Sequence, residues 1–143
     1  SSVRNPTTYF KSVGDYGDWY DIYDDSRWQS QKTIYDPCPA GWRVPDFGPE
    51  GIWRDVDAFS VTYDSFNSGI NVKISNSLTA WYQASGYVNS EGSRVHSRSE
   101  GMYWSVNSKY GQSYHLSIKV DGDVSQSRNK SRSNGFLVRC VKE

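Results

Sequence analysis

Ser113-Tyr114-His115-Leu116-Ser117-Ile118-Lys119-Val120-Asp121-Gly122 is the stretch that decides the fold. Tyr114, Leu116, Ile118 and Val120 alternate with Ser113, His115, Ser117 and Lys119, and this period of two sends each set to its own face of a strand. Asp121-Gly122 then supplies a hairpin turn, since both residue types accept the backbone a tight reversal needs. On this reading the apolar set faces a core, and Ser113, His115, Ser117 and Lys119 face outward. Beyond the turn, Asp123, Ser125, Ser127 and Asn129 share one phase as long as no bulge intervenes.

The same pattern recurs upstream. Ile70, Val72 and Ile74 alternate with Asn71, Lys73 and Ser75, residues 80–87 and 103–106 read as extended, and Phe136, Val138 and Cys140 alternate in an expected final buried strand. A short helix is expected over residues 49–59. Pro49 suits a first turn, Glu50 suits the positive end of the helix dipole, and Trp53, Val56 and Phe59 recur every three residues. Asp36-Pro37-Cys38-Pro39-Ala40-Gly41-Trp42-Arg43-Val44-Pro45 reads as a rigid turn around a buried Trp. Residues 1–36 carry Tyr9, Phe10, Tyr16, Trp19, Tyr20, Tyr23 and Trp28 without a clear period, which predicts an irregular, aromatic-pinned lead-in with one short strand. The expected fold class is α+β weighted toward short antiparallel strands, in a single domain over residues 1–143 with no repeat or linker.

Composition sets further bounds. The low hydrophobic content, 36%, leans toward disorder, but six Trp and eleven Tyr argue for a compact domain with a small aromatic core. Sixteen basic and sixteen acidic side chains cancel, so no net field draws the chain to nucleic acid or an anionic membrane, although Arg128, Lys130, Arg132, Arg139 and Lys142 make its end locally basic. No apolar run approaches the ~18 residues of a membrane span. With neither an initiator Met nor an apolar signal region, the chain reads as an excised or processed fragment. Cys38 and Cys140 lie too far apart for a redox CxxC and are too few for a zinc site. They read either as one disulfide, closing a loop worth up to ~4.7 kcal/mol on chain-entropy grounds, or as two buried thiols.

The segment Lys32 to Pro45 resembles the signature of the Fibrobacter succinogenes major paralogous domain, found in surface and fimbrillin-like proteins of Bacteroidetes. Ala84-Ser85-Gly86-Tyr87, Gly101-Met102-Tyr103-Trp104-Ser105 and Arg132-Ser133-Asn134-Gly135-Phe136-Leu137-Val138-Arg139-Cys140-Val141 match in order and rough spacing, so the resemblance spans nearly the whole chain. It implies a C-type-lectin-like fold with one or two short helices, related to that of formylglycine-generating enzymes, together with surface display and a role in adhesion. It also implies kinship with the variable proteins of diversity-generating retroelements, in which fixed apolar residues alternate with diversified ones. Residues 105–134 fit that plan, with Leu116, Ile118 and Val124 as scaffold. Lys109, Gln112, Lys119, Gln126 and Lys130 would be fixed there, because adenine-directed change of Asn-type codons does not produce Lys or Gln while the third base stays C or T.

Sequence signals for catalysis and metal binding are weak. Asp18, Asp21, Asp24 and Asp25 lack Gly-punctuated calcium-ligand spacing and read as a solvated loop, and the Glu that an EF-hand starting at Asp121 requires is replaced by Arg132. The Glu-Pro-Asn, Gln-Pro-Asp and Trp-Asn-Asp triplets of calcium-dependent lectins are absent. His96 and His115 accompany no nucleophile motif, and there is no Gly-rich phosphate loop. No catalytic residue, metal or cofactor is therefore expected.

The expected function is a non-catalytic, extracellular, adhesin-type ligand-binding domain on a cell surface or phage virion, part of a larger surface protein or pilus. Its partner would be a protein or glycan on another cell, with no nucleic acid and no direct membrane insertion. The alternative is a retroelement-diversified receptor-binding protein, and an enzyme related to formylglycine-generating enzymes is the weakest reading. The expected contact residues are Asn107, Tyr110, His115, Ser117, Lys119, Asp123, Ser125, Ser127, Asn129, Ser133 and Asn134, a Ser/Asn/Tyr chemistry resembling that of antibody paratopes. Tyr110 is the expected aromatic anchor, and Tyr114 belongs with the core.

Overall fold

A computed structural model describes Asp18 and residues 22–143. The expectations for Tyr9, Phe10, Tyr16, Trp19, Tyr20 and Asp21 lie outside these residues. In chain order the described elements are β1 (Trp42–Arg43), a 3-10 turn (Gly48–Glu50), β2 (Val61–Asp64), β3 (Gly69–Ser75), β4 (Leu78–Gln83), β5 (Tyr87–Val88), β6 (Arg94–Val95), β7 (Glu100–Lys109), β8 (Gln112–Lys119), β9 (Val124–Ser131) and β10 (Val141–Lys142).

This architecture overturns the α+β expectation. The chain is a small β-sheet protein, and its described residues form neither the expected helix nor the short helices implied for a C-type-lectin-like fold. The helix over residues 49–59 fails at Gly51, whose backbone turns extended (φ −81°, ψ 156°) and lies so close to the Asp46 carbonyl that a Cβ would overlap it. Separate turns, Arg54 N–H to Gly51 O and Val56 N–H to Trp53 O, still bring Trp53 and Val56 into the core. The periodicity ends there, because Phe59 is 97% exposed.

Two three-stranded antiparallel sheets, β2-β3-β4 and β7-β8-β9, form the body, with the pairs β1-β10 and β5-β6 beside them. The residues of β7 alternate between two cores. Tyr103 joins Trp53, Ile70, Val72, Tyr82, Leu116 and Ile118 between the two sheets. Met102, Trp104 and Val106 point the other way, to Trp28, Cys38, Val44, Tyr87 and Phe136. The β7-β8-β9 sheet is therefore the middle layer, covered on both faces.

The second covering layer changes the reading of β8. Leu116 and Ile118 are buried as expected, but Ser113, His115 and Ser117 are buried as well. Their outward orientation toward solvent is corrected: period two separates the faces, and the aromatic residues packed over the second face come from distant parts of the chain. The single phase expected for β9 fails too. His115 pairs with Arg128 and Ser117 with Ser125, so a bulge places two residues of β9 opposite one of β8. Asn129, paired with Tyr114, then falls on the opposite face from Ser125.

The Cys38–Arg43 segment is fastened to the last strand. Trp42 pairs with Lys142 and Arg43 with Val141, and a Cys38–Cys140 disulfide closes the same corner. The turn before β1 is organised by Asp36 rather than by a buried Trp42, which is 44% exposed. The buried Asp36 carboxylate accepts the Cys38 N–H (2.8 Å) and the Val44 N–H (3.0 Å) and pairs with Lys32 (3.1 Å). The expected continuous strand through Phe136 and Cys140 is reduced to isolated bridges, Gly135 to Val88 of β5 and Leu137 to Tyr103 of β7.

Candidate functional site

The second face of the middle sheet does not close completely. Between β7-β8-β9 and the loop leading into β7 lies a cavity of about 390 Å³. Met102, Glu100 and His115 line its inner part, Tyr87 and His96 form one wall, and Lys119, Arg128, Asn129 and Lys130 form the other. A more open hollow of about 580 Å³ beside Trp28 and Asn107 contains Ser, Gln and Asn side chains but no cation.

His115 is the unusual group. It is 1% exposed, with ring contacts to Trp104 (5.9 Å) and Phe136 (4.8 Å); neither ring nitrogen meets hydrogen-bond geometry with a partner, although the Ser113 backbone carbonyl lies near enough to favour the charged ring. Burial, and then the nearby Lys130 charge, push its pKa down to about 4, outweighing the favourable Ser113 carbonyl, so the ring is neutral at physiological pH. A neutral imidazole offers one donor and one acceptor, and leaving both unmade in a dry environment is costly.

Its neighbours are fixed by their own partners. The Ser117 hydroxyl donates to the buried Glu100 carboxylate, opposite the neighbouring Met102 in register. Lys130 Nζ donates to Tyr87 Oη (3.2 Å) and lies 5.1 Å from the Tyr87 ring centroid. Asp123 bridges Lys119 (2.8 Å) and Arg128 (3.1 Å); these contacts hold the Asp123 pKa below its ordinary value and raise that of Lys119. On the opposite wall, His96 adopts a left-handed backbone (φ 55°), uncommon for a residue other than glycine and enriched where structure is held for function.

The expected contact residues divide into groups. His115, Lys119 and Asn129 line the cavity, Ser117 lies beneath it through Glu100, Asp123 pairs two of its cations, and Ser125 sits opposite Ser117. Ser127 is exposed in the bulged part of β9. Asn107 and Tyr110 are near the far end of β8. Tyr110 and Gly111 both have positive φ in the two-residue turn, Asp25 accepts their N–H groups, and Tyr110 is 75% exposed. Asn107 accepts the Phe47 N–H, while Asn134 and Ser133 bond back to Ser131, so these three side chains serve local structure.

Sequence reading missed Tyr87, His96, Glu100, Met102, Arg128 and Lys130 as cavity residues. Arg128 and Lys130 were visible as part of a basic segment, but the loop and β7 residues had no local signal linking them to β9.

No protein-family model, curated protein or solved structure matches the chain. Among the described residues, no group of three His, Cys, Asp or Glu side chains gathers to hold a metal ion, and no helix is long and apolar enough to cross a membrane. The disulfide fits an oxidising compartment.

Proposed function

We propose that this chain is a non-catalytic ligand-binding domain of adhesin type, displayed outside the cell as part of a larger surface protein. The observation that carries this reading is the cavity over His115: a buried, neutral ring with both nitrogens unpartnered, under a rim of three cationic side chains. Convergent polar groups in a preformed hollow are what a small-ligand site requires. A non-catalytic role is supported by the cysteines, both committed to the disulfide and so unavailable as the reactive thiolates of formylglycine-type chemistry.

The relationship to the Fibrobacter succinogenes major paralogous domain is part of this proposal. It is supported by the joining of the two most specific segments, where Trp42-Arg43 pairs with Val141-Lys142 beside Cys38–Cys140. The retroelement-diversified reading has less support, because His115 and Ser117 lie inside the protein, where free variation would disturb packing.

The test is binding of the labelled domain to glycan and protein arrays, with an Arg128→Ala/Lys130→Ala double variant and an Arg54→Ala/Lys73→Ala control placed away from the cavity. Loss of the array signal in the first variant alone supports the reading. An unchanged signal in both refutes the cavity as the site, and absence of any signal from the native domain refutes the ligand-binding reading.

A further inference from the structure

Resting on the ligand-binding reading, we propose that the His115 cavity receives the carboxylate-bearing sugar of an acidic glycan, with Arg128 and Lys130 holding the carboxylate and His115 engaging a ring hydroxyl.

Charge comes first. Lys119, Arg128 and Lys130 converge on the cavity, and Asp123 is shared between the first two. Lys130 has no carboxylate partner among the described residues; its ammonium rests on the Tyr87 hydroxyl and ring. With Glu100 counted as the second anion, the wall and floor retain one positive charge in excess, and a monoanion completes them.

The floor then selects the kind of anion. Glu100 and one nitrogen of neutral His115 are acceptors, which oppose a polyanion such as phosphate and favour hydroxyl donors. The other His115 nitrogen is a donor. A hydroxyl both gives and takes a hydrogen bond, so it is the simplest group that can satisfy this ring. One ligand must therefore bring a single negative charge and hydroxyls on the same small frame, and a uronic or other carboxylated sugar does so. The cavity, about 390 Å³, is large enough for a small polar ring, and Tyr87 and Met102 supply apolar contact.

The experiment is an NMR titration of the intact chain, following the ring resonances of His115 and the Lys130 ammonium. The probes are glucuronic acid, its methyl ester, glucose and a doubly blocked aspartate. Glucuronic acid is expected to shift the His115 ring and to bind about tenfold or more tightly than the ester or glucose, as loss of a charge-assisted contact implies. Lys130→Ala, with its exposed side chain, should keep the native spectrum and lose that preference. Equal affinity for the ester or glucose, binding of blocked aspartate as tight as that of glucuronic acid, or silence of His115 with all four probes overturns the proposal. If these probes fail while array binding still requires Arg128 and Lys130, only the acidic-sugar assignment falls. If array binding survives their removal, the cavity is not the site and this proposal falls with it; if the native domain binds nothing on the arrays, the ligand-binding reading itself falls.

Discussion

Arg132 and Asp18 form an ion pair inside the protein, 2.9 Å apart, with side chains 0% and 3% exposed. The same guanidinium reaches Asp25 at 3.0 Å, and Asp25 in turn caps the Tyr110-Gly111 turn. One arginine thus connects the start of the described chain to the tip of the β7-β8 hairpin. Removing it would strand two carboxylates, one of them buried. Arg132→Ala should cost about 3–5 kcal/mol, the usual penalty for breaking a buried pair from one side. Urea denaturation measures this directly, and a change below ~1 kcal/mol would mean the pair is not structural.

The Cys38–Cys140 disulfide spans a sequence separation of 102 residues and fixes the β1-β10 corner. Replacing both cysteines with serine should cost about 2–4 kcal/mol, or roughly 10 °C in melting temperature for a domain of this size. Thermal melts of the variant, and of the native chain with reductant, should agree. Identical melts with and without reductant would contradict a stabilising role.

Gly86 precedes β5 with φ 67°, and a Cβ there would overlap the backbone carbonyl of Val95. Gly86→Ala should therefore destabilise by about 3 kcal/mol, combining left-handed strain with a clash that has no flexible side chain to yield. Gly122→Ala is the comparison. It also has positive φ (93°) but open space around it, so it should cost only about 1–2 kcal/mol. Equal losses would show that space plays no part.

Protonation of His115 gives a defined pH dependence. Its folded pKa, about 4, lies below the ordinary 6.5, so the unfolded chain binds the proton more readily. This group's contribution is present above about pH 6.5 and is lost as pH falls toward 4, on the order of 3 kcal/mol in total. Denaturation midpoints at pH 7 and 4.5 should fall more for the native chain than for His115→Phe. Parallel declines would remove His115 as the cause.

Part of this molecule was readable from its residues, and the failures have physical causes. The alternation of Ile70 and Val72 correctly marked β3, and Leu116 and Ile118 correctly marked one face of β8. Asp121-Gly122 correctly marked the reversal into β9, where Gly122 has φ 93°. Alternation reports which residues share a face but not how many faces are covered. His115 and Ser117 read as exposed because Tyr87 and Phe136, which enclose that side, lie far away in sequence. The bulge between Ser125 and Arg128 left no mark in a run of small polar residues, so the β9 side chains facing the cavity were misassigned. Trp53 and Val56 imitated a helix because turns with i to i+3 hydrogen bonds can serve the same spacing.

The most direct test of the binding site is a paired measurement on His115→Phe: stability by urea denaturation, and affinity for the array-selected ligand. Phenylalanine keeps the aromatic contacts to Trp104 and Phe136 and removes the two buried ring nitrogens. If the ring is kept for a ligand, the variant should be at least as stable as the native chain at pH 7 and should bind about tenfold or more weakly. A variant that loses stability while binding normally would make His115 a structural residue and contradict the account.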